Sequence, residues 1–286
     1  MARSERWSVD RRWVERGVHG LVSRNRFTIA VVFPAVGAVG LLASARGLLP
    51  PTLAFNPALV LFGATVMRLP LVGGLLPITH RRAALAVGAL VAYAYGIELL
   101  GVTTGWPYGS FEYLVALGPM VAGVPVGLPV FFVPLVVNSY LLVGVLLGEA
   151  GSRPAVRVGA TALSVLAMDV VLDPGAVALG FWRYEGGGVF YGVPLSNYAG
   201  WILSAVVAVM ALDWGYESTR IGERLTDCPY LLDDLVSFVL LWGVVNAVYG
   251  QWIPATVAAA FGIALVATDR FDFAVVGRNL PRVSFR

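Results

Sequence analysis

An all-α, polytopic transmembrane helical bundle is the fold this sequence predicts, and three observations carry it. Charged residues make up only 13% of the 286, against roughly 25% in an ordinary soluble domain. Mean hydropathy is +0.78. The apolar residues also fall in continuous runs, close to the ~20 residues a helix needs to cross a hydrocarbon core. A transmembrane β-barrel shows short alternating segments instead.

Taken in order, helices are expected over 27–45, 53–76, 83–102, 128–149, 156–179, 200–217, 234–250 and 253–269, giving seven or eight crossings. Pro57, Pro70 and Pro77 interrupt the second, and only Gln251 and Trp252 separate the last two. The transmembrane domain thus covers residues 27–269, between a basic segment (1–26) and a C-terminal tail (270–286). Residues 1–26 hold seven arginines, and the apolar run that follows is long enough to span, so no cleavable signal is expected. Trp7, Val14, Val18 and Leu21 are spaced for a short interfacial helix; a solvated basic tail fits the same residues.

All 20 basic residues are arginine, which makes topology testable. With both termini cytoplasmic, the inside segments are 1–26, 69–82, 150–155, 218–233 and 270–286. Together with the adjacent helix ends they hold 18 of the 20, leaving Arg46 and Arg183 outside. The expectation is a multi-pass protein of the cell membrane. Its net charge of +3 is scattered, so the sequence offers no nucleic-acid-binding patch. The single cysteine, Cys228, excludes an internal disulfide. His19 and His80 fall among cytoplasmic arginines, away from the acids described next, so no metal site is expected. No phosphate-cradling loop or dinucleotide fingerprint is present, and Gly186–Gly188 reads as loop. The stretch Asp213–Asp234, with six acids and two arginines, reads as a solvated connector.

The chemistry concentrates where polar residues enter apolar helices, because such residues are costly there. Asp169 and Asp173 lie one turn apart on the fifth helix and share a face. Two carboxyls that close, away from water, favour a pair that holds one proton, one member donating and the other accepting. Such a pair titrates as a unit, so spacing alone assigns neither role; Pro174 favours Asp173 as the acid, by opening space beside it. A structural reading competes: helix–helix hydrogen bonding, or an ion pair with Arg183. Glu98 is expected near the outer end of the third helix, where it relays protons, bonds the aspartates or is simply solvated. Asn197 either orients a water or caps the sixth helix. Trp106, Tyr108, Tyr113, Trp182, Tyr184, Tyr191, Tyr198 and Trp201 are candidates to line a pocket. Their rings attract a cation by about 0.5–2 kcal/mol each, though an interfacial aromatic belt would also use them. Glu112 and Glu185 read as loop charges.

Glu98, Gly105-Trp106-Pro107-Tyr108-Gly109, Tyr113 and Val124-Pro125-Val126 resemble one signature of the carotenoid-biosynthesis membrane hydratases. Asp169-x-x-x-Asp173-Pro174, Trp182-x-Tyr184 and the run Tyr191–Trp201 resemble a second. The two extend from about residue 95 to 201. Tyr184 departs from the pattern, which often has tryptophan there. The resemblance implies cofactor-free addition of water to a terminal isoprenoid double bond of an acyclic carotenoid, by protonation to a tertiary carbocation and capture by water. A C50 polyene is the favoured substrate and a C40 polyene the alternative. The implied partners are that polyene, the lipid bilayer and other membrane enzymes of carotenoid synthesis. A proton-coupled transporter or a pigment-binding scaffold would use the same acids without forming a covalent product.

Overall fold

The computed structural model describes residues 2–216 and 218–270. The expected tail beyond Arg270, and the side chain of Trp7, lie outside the described residues. The helices are α1 (Ala2–Phe27), α2 (Phe33–Ala45), α3 (Pro57–Leu75), α4 (Arg81–Thr104), α5 (Leu128–Leu147), α6 (Pro154–Leu179), α7 (Leu195–Gly215), α8 (Ser218–Asp227), α9 (Asp233–Val248) and α10 (Trp252–Ala267). Local chemistry sets several boundaries. Asn56 caps α3 by accepting from the amides of Ala58 and Leu59, at 3.0 and 3.2 Å, and Pro57 at the first position needs no partner for a missing N–H. α4 and α6 each end on a left-handed glycine, Gly105 and Gly180. Between α1 and α2 the chain does not break. Pro34 has no N–H for the preceding turn, and a π-helical turn over Thr28–Val32 carries the rod through.

Six segments are long and apolar enough to cross a membrane: Arg11–Ala45, Pro57–Ile78, Arg81–Thr104, Leu128–Ser152, Pro154–Leu179 and Leu195–Gly215. They coincide with the first six expected helices, and the protein is a multi-pass membrane bundle. The last two expected helices exist but are short. α9 and α10 have 16 residues each, about 24 Å of rise against a core of about 30 Å, and they form a hairpin turned at Gly250 (φ +68°). The sixth helix starts earlier than expected, at Leu195, which takes Asn197 and Tyr198 into its first turns.

α6 is the hub, packed against α5, α7, α9 and α10, and Val165, Met168, Val171 and Ala176 along it are fully buried. Gly175 lets α9 approach closely: a Cβ there would sit 2.9 Å from the Trp242 ring. The connector expected to be solvated is tied into the bundle at both ends, while Glu223 and Asp227 between them are exposed as expected. Asp213 takes Arg157 at 2.6 Å and the Tyr140 hydroxyl at 2.7 Å. Asp233 pairs with Arg26 at 2.7 Å, and the fully buried Asp234 pairs with Arg68. Apolar flanks bring these acids inside, and each then requires a cation.

Two small ribbons interrupt the helices. β1 (Phe111–Tyr113) pairs antiparallel with β4 (Trp182–Tyr184), and β2 (Met120–Val121) pairs with β3 (Val124–Pro125). The β1–β4 register sets Phe111 opposite Tyr184 and Tyr113 opposite Trp182. Side chains alternate across a strand, so the four rings share one face while Glu112 and Arg183 share the other. That outer pair forms an exposed ion pair.

Candidate active site

The ribbon joins the two sequence signatures, holding the loop after α4 against the loop after α6. Its aromatic face closes one side of a cavity of about 510 Å³. Phe111, Tyr113, Trp182 and Tyr184 line it, with Glu98 and Tyr108 from the α4 side, Asp173 from α6, and Asn197 and Trp201 from α7. Trp201 stacks on Phe132 of α5, ring centres 5.2 Å apart and 24° between planes. Tyr108 is buried because Gly200 admits it; a Cβ at that glycine would lie 2.5 Å from the ring. Its hydroxyl meets Ser204 at 3.0 Å, and Ser204 meets Tyr93 at 3.1 Å.

One amide organises the acids. Asn197 Nδ2 donates to Asp169 Oδ2 at 2.8 Å and to Asp173 Oδ2 at 2.7 Å. The Tyr184 hydroxyl donates to the same Asp173 oxygen at 2.7 Å. Asp169 Oδ1 is buried and has no partner among the described residues. Tyr113 donates its hydroxyl to Glu98 Oε1. Burial, reinforced by the neighbouring carboxyl groups, pushes the phenols of Tyr113 and Tyr184 well above their ordinary range. Both therefore stay protonated near neutral pH and remain donors. Arg183 is engaged with Glu112 on the outer face of the ribbon, so the alternative ion pair with the aspartates is not formed. The helix–helix hydrogen bonding of the structural reading is present, from Asn197 of α7 to both acids of α6.

Around Pro174 two carbonyls of α6 accept hydrogen bonds from the α9–α10 hairpin. Asn246 Nδ2 donates to the Val171 carbonyl at 2.8 Å, and Gln251 Nε2 to the Pro174 carbonyl at 3.1 Å. Pro174 offers no N–H to the Val170 carbonyl one turn earlier, and the two bonds from the hairpin fasten the turns of α6 on either side of Asp173.

Not every expected pocket residue reaches the cavity. Asp169 lies behind Asn197, fully buried and away from the lining. Trp106 is 56% exposed, turned outward where left-handed Gly105 ends α4. Tyr191 sits at φ +50° in a tight turn, edge-on to Phe190 at 4.8 Å. Tyr198 packs behind Tyr184 in a small cluster with Val193, one helical position beyond the residue that faces the acids. Sequence reasoning missed Phe111, Phe132, Arg68 and Asn138, all of which line the cavity. Arg68 had been counted with the inner surface. A lone arginine and a lone asparagine within apolar helices were the available signal.

The cavity also runs between α2 and α3, where Val36, Leu59 and Phe62 line it and are 66%, 53% and 61% exposed. Among the described residues no three His, Cys, Asp or Glu side chains converge as a metal site would require.

The family model described as carotenoid biosynthesis protein matches residues 55–265, a span that includes every residue of the acid cluster and both faces of the ribbon. The bisanhydrobacterioruberin hydratase of Haloarcula japonica is 60% identical over 266 residues, covering 93% of this chain and 90% of that protein. No solved structure matches. The extent of both matches shows that the chain belongs to the carotenoid biosynthesis protein family.

Proposed function

We propose that this chain is a carotenoid hydratase that adds water to the terminal double bonds of bisanhydrobacterioruberin, the compound in its relative's name, which the family resemblance makes an acyclic C50 polyene. The observation that carries the reading is the Asn197 amide tying two carboxyls together in the wall of an aromatic cavity. Asn197 and Tyr184 both donate to Oδ2 of Asp173, so a proton on that carboxyl resides on Oδ1. Asp173 is the acid. It transfers the proton to the less substituted alkene carbon, a C–H bond forms, and a tertiary cation develops. Trp182 and the stacked Trp201–Phe132 pair surround that cation with faces that attract it but do not bond to it. Water then adds to the cation, forming the C–O bond of a tertiary alcohol. Its surplus proton passes to Glu98 and returns through water to Asp173, so the cycle consumes only alkene and water. Asp169 touches no substrate. It is a positioning residue that shares the Asn197 amide and keeps the pair to a single proton.

The polyene reaches the site from the bilayer, through the seam between α2 and α3. The arginine distribution orients the acid end of the cavity toward the outer face, with both termini cytoplasmic. Cells that make the polyene and express this chain should accumulate pigments heavier by one and then two waters, read by mass spectrometry. If the pigment masses stay unchanged while the protein is present in the membrane, the hydratase reading is wrong.

A further inference from the structure

A second buried polar cluster borders the same cavity, and the hydration chemistry leaves it unused. Asp234 at the start of α9 is fully buried. One of its oxygens accepts from Arg68 of α3 and the other from Asn138 Nδ2 of α5 at 2.6 Å. Arg68 Nε also donates to the Val130 carbonyl at 3.0 Å, the carbonyl that Pro134 leaves without a helical N–H. Asn138 spends its amide nitrogen on Asp234, so its Oδ1 must face elsewhere. That oxygen is buried and has no partner among the described residues. Arg68 and Asn138 both line the cavity that holds Asp173.

Position and charge limit what this cluster can take. On α5, Asn138 lies six residues past Phe132, which stacks on Trp201; the helical rise makes that about 9 Å. A group bound there is too far away to capture the cation, yet it shares the cavity with the reacting end. The Arg68–Asp234 pair is already neutral. An anion would meet the Asp234 carboxylate and a cation the Arg68 guanidinium. A neutral O–H group suits both vacancies, donating to Asn138 Oδ1 and accepting a further guanidinium N–H.

We infer that Asn138 and Arg68 form a hydroxyl-binding site that takes an alcohol group of the bound polyene at a fixed distance from its reacting double bond. The inference rests on the cavity being the polyene site, and not on Asp173 being the acid. A bound water offers the same O–H chemistry, so the test separates the two sources.

The full-length chain with Asp173→Asn is placed in lipid nanodiscs, and pigment masses after each titration verify that neither polyene has been hydrated. It is titrated with an acyclic polyene bearing a tertiary alcohol near one end, and with the matching hydrocarbon, following tryptophan quenching. The alcohol should bind at least tenfold more tightly. Adding Asn138→Leu should bring the two affinities together and leave the hydrocarbon's unchanged. If both polyenes weaken alike in Asn138→Leu at an unchanged melting temperature, the O–H belongs to a bound water. Equal affinities unaffected by the substitution overturn the site. Should Asn138→Leu fail to assemble, Asn138→Ala removes the same acceptor with less bulk and is judged by the same readings. Failure of either polyene to bind the Asp173→Asn chain overturns the cavity assignment itself, an outcome distinct from inactive but pigment-loaded protein.

Discussion

Asn197 has two carboxyl partners and one nitrogen, and that geometry decides what each acid can do. Both bonds come from Nδ2, so Asn197→Asp would replace a shared donor with a third acid. The protein should then lose stability as well as activity. Asn197→Leu leaves both Oδ2 atoms without the amide and should cost about 1–3 kcal/mol of stability, read as a lower melting temperature in detergent. Tyr184→Phe removes one donor and leaves the other. It should slow hydration roughly ten- to hundredfold with little change in protein level, whereas Asp173→Asn should slow it by about a hundredfold or more. Asp169→Asn discriminates sharply, because Asp169 lies off the cavity: its effect should appear in the pH profile of turnover more than in polyene affinity. The two aspartates were legible as a pair from their spacing alone. Their separate positions, one on the cavity and one behind the amide, were not, since helical phase places both on one face and only the neighbouring helix decides which is covered.

At the scale of elements, the β1–β4 ribbon is the unit that assembles the site. Its pattern is written twice in the chain, as Phe111-Glu112-Tyr113 and Trp182-Arg183-Tyr184. Each is an aromatic–charged–aromatic triplet whose period of two puts rings inward and charges outward. That period is visible in the sequence, but the pairing partner lies some seventy residues away in a second loop, and nothing local to either loop names the other. The seam between α2 and α3 makes a second element-scale claim. Gly63 lines the cavity, and a Cβ there would meet nothing within 4 Å. Gly63→Leu should therefore leave the fold intact and block a long polyene. Initial rates in nanodiscs should fall severalfold or more for the C50 chain and change little for a short isoprenoid alkene. Equal rates for the long chain with and without the substitution would rule out entry at that point. Gly200→Leu is the contrasting case. Its Cβ collides with the buried Tyr108 ring, and overpacking of that kind costs about 1–3 kcal/mol.

For the whole molecule, the helical class and the first six crossings follow from hydropathy, because apolar length is a property of the sequence itself. The α9–α10 hairpin was legible in the same way, over 234–250 and 253–269, but its 16-residue helices are shorter than a crossing needs. Its acidic start belongs to the bundle interior only because Arg26 and Arg68, distant in sequence, are there to meet Asp233 and Asp234. Orientation in the membrane is testable with single cysteines in a Cys228→Ser background. Val189→Cys, at an 83% exposed loop position, should react with an impermeant maleimide in intact cells, and Arg153→Cys only after permeabilisation. The reverse pattern would invert the topology. The central claim is that Asp173 protonates the polyene end. Its most direct test is hydration by the purified chain in D₂O, comparing the parental protein with Asp173→Asn. The parental product should carry one carbon-bound deuterium beside each new tertiary alcohol, and the Asp173→Asn chain should bind pigment yet form almost no labelled alcohol. Labelled alcohol formed at a near-parental rate without that carboxyl would contradict the account.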